Sequence, residues 1–247
     1  EQQAGVVVIG PSGSGKSSVV AAGLLPRLQQ AAHLRQAQGT AWTIASMRPQ
    51  DRPFHALAAA LLGVLPPHLS VAEHLRTVER LAQELTDGTN RIRQLAEQVA
   101  QQHPHAPHML LVIDQFEELY TLCPDAHLRQ RFLDGLLEAI SPAPAGNAPL
   151  TLLLTLRADF VGQVVTYRPM ADLLHTSAFI LGPMNRDELA QAISHPAQKL
   201  GVPFEDGLME RILDDVCNEP GSLPLLEFAL TLLWEQHDNG ILTHAGY

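Results

Sequence analysis

A glycine-rich segment near the start of the chain has the residue types and spacing of a phosphate-binding loop. It fits the pattern G-x-x-x-x-G-K-[ST] at every fixed position and reads Gly10-Pro11-Ser12-Gly13-Ser14-Gly15-Lys16-Ser17. The glycines let the backbone turn its N–H groups towards phosphate oxygens, and a helix that begins near Ser17 adds its positive end. The pattern predicts that Lys16 bridges the β- and γ-phosphates of a nucleoside triphosphate and that the Ser17 hydroxyl ligates Mg²⁺. Ser18 completes the predicted nucleotide-binding set.

The surroundings of this segment favour the phosphate-loop interpretation over a chance match in a turn. An apolar run precedes it, an apolar helix pattern follows it, and one of the only two lysines in the chain occupies the lysine position. A dinucleotide fingerprint is disfavoured because Ser18 stands where the third glycine is required.

A second set of polar residues follows the apolar run at 110–113. Asp114 comes at the end of that predicted strand, where ligands bind in open parallel sheets, and we expect it to hold magnesium through water. Glu117 and Glu118 follow three and four residues later, and either carboxylate could orient or polarise the attacking water. The sequence does not decide between them, with a slight preference for Glu118. The alternative is that both begin an exposed segment.

Arg157 ends another apolar run, at 150–156. If that strand lies between the first strand and the one before Asp114, Arg157 reaches the γ-phosphate and stabilises charge in the transition state. The alternative is a surface arginine that pairs with Asp159. The chain has no N-K-x-D guanine-reading motif, so ATP is preferred over GTP. His103, His105 and His108 are interpreted as a solvated linker and not as a metal site.

The elements that must position these residues alternate between strands and helices. Apolar runs predict strands at 5–9, 40–47, 109–113, 150–156 and 177–181. Helices are predicted from the loop to about residue 28, at 54–65 before Pro66-Pro67, near 92–99 and at 128–140. A further helix begins at a capping box formed by Ser70 and Glu73, and its apolar stripe is Leu75, Val78 and Leu81. This order predicts an α/β fold with a doubly wound parallel sheet. Together with the phosphate loop, we interpret it as a P-loop core of the ASCE type.

From about residue 185 the pattern is helical only. Asn185 and Glu188 suit a helix start, and Gly221-Ser222-Leu223-Pro224 opens the last helix with proline in its first turn. We therefore predict a nucleotide-binding core at 1–184 and a helical lid at 185–247.

Composition narrows the class of protein further. Of the 247 residues 46% are hydrophobic, which is enough for a sizeable core, and the net charge of −10 argues against nucleic acid as a partner. No apolar stretch is long enough to cross a membrane. The two cysteines, Cys123 and Cys217, are expected to be reduced thiols. We expect a fragment of a larger cytoplasmic protein.

Four blocks of the chain resemble, in sequence and in order, the novel STAND NTPases of type one: GPSGSGKSSVVAAGLLPRL at 10–28, LLVIDQFEELYTLC at 110–123, LTLRADF at 154–160 and GSLPLLEFALTLLWEQ at 221–236. The resemblance implies an ATP-driven switch whose nucleotide state controls oligomerisation or effector exposure, with effector and repeat domains appended. It also implies that Arg157 is a sensor arginine and Pro224 a lid proline that contacts nucleotide. The family's phenylalanine-glycine-arginine element and winged-helix region lie outside this sequence.

These observations together predict a slow, magnesium-dependent ATPase that acts as a molecular switch in signalling or defence. Two other functions stay open: a module that holds nucleotide without turnover, and a small-molecule kinase that uses the same loop.

Overall fold

The fold is described from a computed structural model that covers residues 5–34, 41–65, 70–88, 91–103, 106, 108–141, 150–217, 221, 223–236 and 240–247. Four of the predictions above fall on residues outside this described part: the strand start at 40, the helix stop at 66–67, His105 and Ser222.

A five-stranded sheet forms the centre of the fold. Its strands are β1 (Gly5–Gly10), β2 (Trp42–Met47), β3 (His108–Ile113), β4 (Leu150–Arg157) and β5 (Ala178–Ile180). They lie in the order β2-β3-β4-β1-β5, and the pairs β2–β3, β3–β4 and β1–β5 run parallel. β4 is thus inserted between β1 and β3, which confirms the predicted α/β class and ASCE type. The apolar side chains of β3 are buried throughout, as expected of a strand with both faces covered.

Helices connect the strands and cover the sheet. They are α1 (Lys16–Ser18), a π-helical segment (Val19–Leu24), α2 (Leu25–Leu34), α3 (Pro53–Gly63), α4 (Val71–Asp87), α5 (Arg91–Gln102), α6 (Glu118–Thr121), α7 (Ala126–Ile140), α8 (Val161–Val164), α9 (Arg168–Ser177), α10 (Arg186–Leu200), α11 (Leu208–Val216) and α12 (Leu223–Glu235). The sequence pattern did not predict α6, α8 or α9. Within the described part of the chain, no helix combines the length and apolarity that a membrane crossing needs.

The start of α4 shows how the sequence sets a helix boundary. Ser70 and Glu73 form the predicted capping box: the Ser70 N–H donates to Glu73 Oε2 at 2.9 Å, and the Glu73 N–H donates to Ser70 Oγ at 3.4 Å. The buried stripe of the helix comprises Val78, Leu81, Ala82 and Leu85. The placement of Leu75 in this stripe was wrong, since 61% of its surface is exposed. It lies one turn before the stripe, where the core no longer covers the helix.

The histidine-rich segment also departs from its interpretation as a linker. His108 is the first residue of β3 and pairs with Trp42 of β2, with their rings 5.4 Å apart. Sheet pairing therefore begins one residue before the apolar run. His103 follows α5, and its Nδ1 lies 3.0 Å from the Val99 carbonyl.

The chain forms two compact units. The first comprises residues 1–9 and 16–180, and its core is built by the inner faces of β1–β4 with α3, α4, α5 and α7. Phe54 and Phe132 meet edge to face within it, with ring centroids 5.3 Å apart.

The second unit comprises residues 10–15 and 181–247 and has its own apolar cluster, in which Leu208, Ile212 and Leu233 are fully buried. The expectation of helices alone after residue 185 was wrong in one detail. Phe204 and Leu242 form a parallel bridge, and the Glu205 N–H donates to the Leu242 carbonyl at 2.8 Å.

Candidate functional site

The loop at 10–15 takes a backbone shape that only glycine adopts cheaply. Gly13 and Gly15 have φ angles of +71° and +83°, in the left-handed region. A Cβ on Gly10 would lie 2.7 Å from Ser14 Oγ and 2.8 Å from the Leu181 carbonyl oxygen, so this position also requires glycine. Ser14 Oγ is buried, and no hydrogen-bond partner for it occurs among the described residues. A buried hydroxyl without a partner is unusual and suits a loop whose polar groups receive a ligand.

Within the second unit, the turn at the start of α12 packs directly on this loop. A Cβ on Gly13 would lie 2.8 Å from the Gly221 carbonyl oxygen and 3.1 Å from Pro224 Cδ. Gly221 has φ +81°, and a Cβ there would lie 3.3 Å from the Ser12 carbonyl oxygen. Two glycines thus let the two backbones approach closely, and they place Pro224 beside the loop.

Lys16 and Ser17 follow the loop and begin α1. Lys16 is buried, and desolvation lowers the pKa of its ammonium group. The negative charges of Glu117, Asp114 and Asp159 act in the opposite direction on that pKa. A buried ammonium among carboxylates is suited to an anionic ligand that replaces the lost hydration.

Asp114 stands at the end of β3 and receives hydrogen bonds on both carboxylate oxygens. Oδ1 accepts from the Ser17 hydroxyl at 2.6 Å and from the Thr155 hydroxyl at 2.7 Å. Oδ2 accepts from Arg48, whose Nε lies at 3.3 Å and whose Nη2 lies at 3.2 Å. The contact between Ser17 and Asp114 joins residues 97 positions apart in the chain.

The Ser17–Asp114 pair has the chemistry of a magnesium site. A hydroxyl and a carboxylate are hard oxygen ligands, and Mg²⁺ usually takes one or two such protein groups together with substrate phosphates and water. Among the described residues, no cluster of three or more His, Cys, Asp or Glu could hold a metal ion without a substrate. The donor set therefore fits Mg²⁺ that arrives with a phosphate ligand.

Thr155 is a site residue that the sequence analysis missed. It is 1% exposed, and its Oγ1 accepts the Gln115 N–H at 2.8 Å while it donates to Asp114. Gln115 has a positive φ of 55°, so this bond fixes a strained turn immediately after Asp114. The available signal was a threonine near the end of a leucine-rich buried strand, at the sheet edge that carries Asp114.

Arg48 was also missed. It directly follows β2, whose last residue Met47 pairs with Ile113 of β3, so Arg48 and Asp114 leave neighbouring strands side by side. The position of a strand end was a usable signal, but only once the order of the strands is known.

The two glutamates have different surroundings. Glu117 is 8% exposed, its Oε2 accepts the Arg157 N–H at 3.2 Å, and its charge acts on Lys16. Glu118 Oε2 instead accepts the Gln50 N–H at 3.1 Å, in a turn where Gln50 has a φ of 55°. The structure thus brings Glu117 to Lys16 and Arg157, and turns Glu118 towards the segment after β2.

Arg157 makes the contact that the sequence analysis gave as its alternative. Its Nε and Nη2 bind Asp159 Oδ1 and Oδ2 at 3.1 and 2.7 Å, and its guanidinium lies 5.4 Å from the Phe160 ring centroid. The hydrogen bonds with Asp159 raise the pKa of Arg157 and lower the pKa of the Asp159 carboxyl. Its backbone N–H meanwhile ties it to Glu117.

Comparison with known proteins agrees with this geometry. A family model described as Novel STAND NTPase 1 matches residues 1–247. No curated protein matches the chain.

Three solved structures share the fold at low identity. The ORC2 protein of Aeropyrum pernix in its ADP form has a TM-score of 0.66 at 15% identity, over 94% of this chain and 57% of that protein. The ORC1 protein of Aeropyrum pernix in complex with DNA has a TM-score of 0.60 at 17% identity, over 100% of this chain and 58% of that protein. A Walker-type ATPase of Pyrococcus abyssi has a TM-score of 0.55 at 14% identity, over 96% of this chain and 64% of that protein. The chain thus spans about three fifths of the length of these proteins.

Proposed function

Because the chain belongs to the Novel STAND NTPase 1 family, and is thus a nucleotide-binding P-loop NTPase, we propose that it hydrolyses ATP and acts as a molecular switch. The observation that carries the proposal is the 2.6 Å hydrogen bond between Ser17 and Asp114, because it joins the end of the phosphate loop to the end of β3. ATP hydrolysis needs both groups at one place.

In this proposal the loop residues 10–15, with Lys16, Ser17 and Ser18, hold the phosphates. Ser17 and Asp114 would hold Mg²⁺, and the metal ion would neutralise phosphate charge during transfer. Thr155 and Arg48 keep the Asp114 carboxylate oriented through the contacts on Oδ1 and Oδ2. The buried ammonium of Lys16 pairs with the β- and γ-phosphates.

We assign the general base to Glu117 and a positioning role to Glu118. The Glu117 carboxylate is buried beside Lys16 and held by the Arg157 N–H, so it can accept a proton from water as that water attacks the γ-phosphorus. The new bond joins the water oxygen to phosphorus, the bond from phosphorus to the β–γ bridging oxygen breaks, and ADP leaves. Glu118 holds the turn at Gln50.

The remaining roles concern the switch. Arg157 is proposed to contact the γ-phosphate, and Pro224, which packs on Gly13, to contact the nucleotide from the predicted lid at 185–247. The full-length protein is proposed to form homo-oligomers, to carry effector and repeat domains in signalling or defence, and to be cytoplasmic.

The test compares Glu117→Gln with Glu118→Gln, which remove the same charge one residue apart. E117Q should lower the turnover of Mg-ATP by roughly 10²-fold or more, the scale of a lost general base, and should leave ATP affinity within about twofold. E118Q should lower turnover less than about tenfold. Phosphate release measures turnover, and titration calorimetry measures affinity.

Each of the other outcomes identifies a different error. Loss of turnover in E118Q alone would move the base to Glu118. Equal turnover in both variants and the parent would contradict a catalytic role for either glutamate. Binding without turnover in the parent would favour the scaffold alternative, and phosphate transfer to a small-molecule acceptor would favour the kinase alternative.

A further inference from the structure

The side chain of Arg157 is held by its own neighbour in the chain. Asp159, two residues later, binds the guanidinium through both carboxylate oxygens, and the Phe160 ring lies near it. The two residues are two positions apart in the chain, and the short helical turn at Ala158–Phe160 directly follows Arg157, so this contact is local. Two-point contacts of this kind are the stronger form of the arginine–carboxylate pair.

The backbone of Arg157 is fixed independently of this side-chain pair. Its N–H donates to Glu117, which is buried and acts electrostatically on Lys16. The side chain can therefore change partners without moving the strand end. The charge of Arg157 lowers the pKa of Lys16 and the charge of Asp159 raises it, so both charges act on the lysine of the proposed phosphate site.

We propose that Asp159 is a specificity-determining residue, which competes with the γ-phosphate for the Arg157 guanidinium and thereby sets the preference for ATP over ADP. This inference rests on the proposed role of Arg157 as the γ-phosphate contact. The two N–H groups that bind Asp159 form the edge of the guanidinium that would bind a phosphate in the same two-point manner. ATP must displace the carboxylate to use that edge, whereas ADP has no γ-phosphate and leaves the pair intact.

The size of the effect follows from the exposure of the pair. The side chains of Arg157 and Asp159 are 40% and 55% exposed, so water screens their attraction strongly. Exposed pairs contribute little, and removal of the competitor should tighten ATP binding by about 2- to 5-fold. The affinity for ADP should change by less than about 1.5-fold, because the competition concerns only the γ-phosphate.

The experiment measures dissociation constants of a non-hydrolysable Mg-ATP analogue and of Mg-ADP for four proteins: the parent, Asp159→Asn, Arg157→Ala and the double variant. D159N is expected to tighten the ATP analogue by about 2- to 5-fold, whereas R157A should weaken it and bring the two nucleotides closer in affinity. Asp172→Asn is the matched control, since Asp172 forms an exposed pair with Arg168 at 2.8 Å and its loss changes the net charge equally. D172N should alter neither constant.

The double variant separates competition from direct repulsion between the Asp159 carboxylate and the phosphates. If Asp159 acts through Arg157, D159N has no effect on the ATP-to-ADP ratio once Arg157 is alanine. An equal gain in both backgrounds, no gain in either, or weaker ATP binding in D159N would overturn the inference. If R157A alone leaves the ratio unchanged, the proposed role of Arg157 fails as well, and ADP binding by every variant shows that the proteins are folded.

Discussion

Thr155 gives the sharpest test of how this site is held together. Its hydroxyl accepts the Gln115 N–H at 2.8 Å and donates to Asp114 Oδ1 at 2.7 Å, inside a strand where it is 1% exposed. Thr155→Val keeps the branched shape and removes only the hydroxyl. The change leaves the Gln115 N–H without its acceptor at a residue with positive φ, and it removes one donor from Asp114.

The two losses set the expected magnitude. A buried N–H without a partner costs about 1 to 3 kcal/mol, and a hydrogen bond to a charged group contributes about 1.5 to 3 kcal/mol. The losses share one hydroxyl and Asp114 keeps Ser17 and Arg48, so we expect a combined destabilisation of about 3 kcal/mol rather than the full sum. For a chain of this length that corresponds to a fall in melting temperature of roughly 6 to 12 °C.

Thermal unfolding followed by circular dichroism measures this shift, and two variants control it. Thr155→Ser keeps the hydroxyl and should lose only about 1 kcal/mol, because it removes a single methyl group. Thr151→Val makes the same Thr-to-Val change elsewhere in β4. Thr151 is half-buried, its side chain forms no hydrogen bond within the described residues, and the variant should therefore change stability little. If T155V melts within about 2 °C of T155S, the hydroxyl does not hold the turn after Asp114, and the argument fails.

Three further predictions concern other parts of the molecule. Lys16→Met should weaken the binding of ATP by about 2 to 4 kcal/mol, as measured by titration calorimetry. The variant should also raise the melting temperature without nucleotide, because burial lowers the pKa of Lys16 in the folded protein below its unfolded value of 10.5. This gain in melting temperature should shrink as the pH rises from the folded pKa towards 10.5, because the folded parent protein then already holds a neutral lysine. Tyr120→Phe should stabilise the protein by about 1 kcal/mol in urea unfolding, since the Tyr120 hydroxyl is buried with no hydrogen-bond partner in the described part of the chain. The matched variant Tyr167→Phe loses a hydrogen bond to Asp134 and should instead destabilise the protein. Mg-ATP and Mg-ADP should both slow hydrogen exchange of the backbone amides in 205–236, and Pro224→Ala should weaken the binding of both nucleotides. Exchange that changes only at 10–18 and 114–118 would contradict a contact between the lid and the nucleotide.

The sequence predicted the site wherever the chemistry depends on local spacing. The phosphate loop requires glycines and a lysine at fixed intervals, so its residues could be named from spacing alone. The apolar run at 109–113 identified β3, and Asp114 directly follows that strand. The capping residues of α4 and α10 were predicted for the same reason, because a capping box needs only two side chains three positions apart.

The residues that the sequence analysis missed depend on distant parts of the chain. Arg48 and Thr155 reach Asp114 from strands 66 and 41 positions away, and no spacing rule connects them. The glutamates could not be separated because both follow the same strand, and their surroundings differ only through Arg157 and Gln50. Leu75 has the right period for a buried face, but the period does not say where along the helix the core ends.

Several charged groups at this edge of the sheet are already paired with one another. Arg157 binds Asp159, Arg48 binds Asp114, and the charge of Glu117 acts on Lys16. If nucleotide binds here as proposed, a phosphate that takes the Arg157 guanidinium must displace Asp159, and Mg²⁺ bound by Asp114 must compete with Arg48. The net free energy of each exchange is small. The loss of one phosphate from the nucleotide would then return the Arg157 guanidinium to Asp159, while the hydrogen bond from the Arg157 N–H to Glu117 keeps the end of β4 fixed.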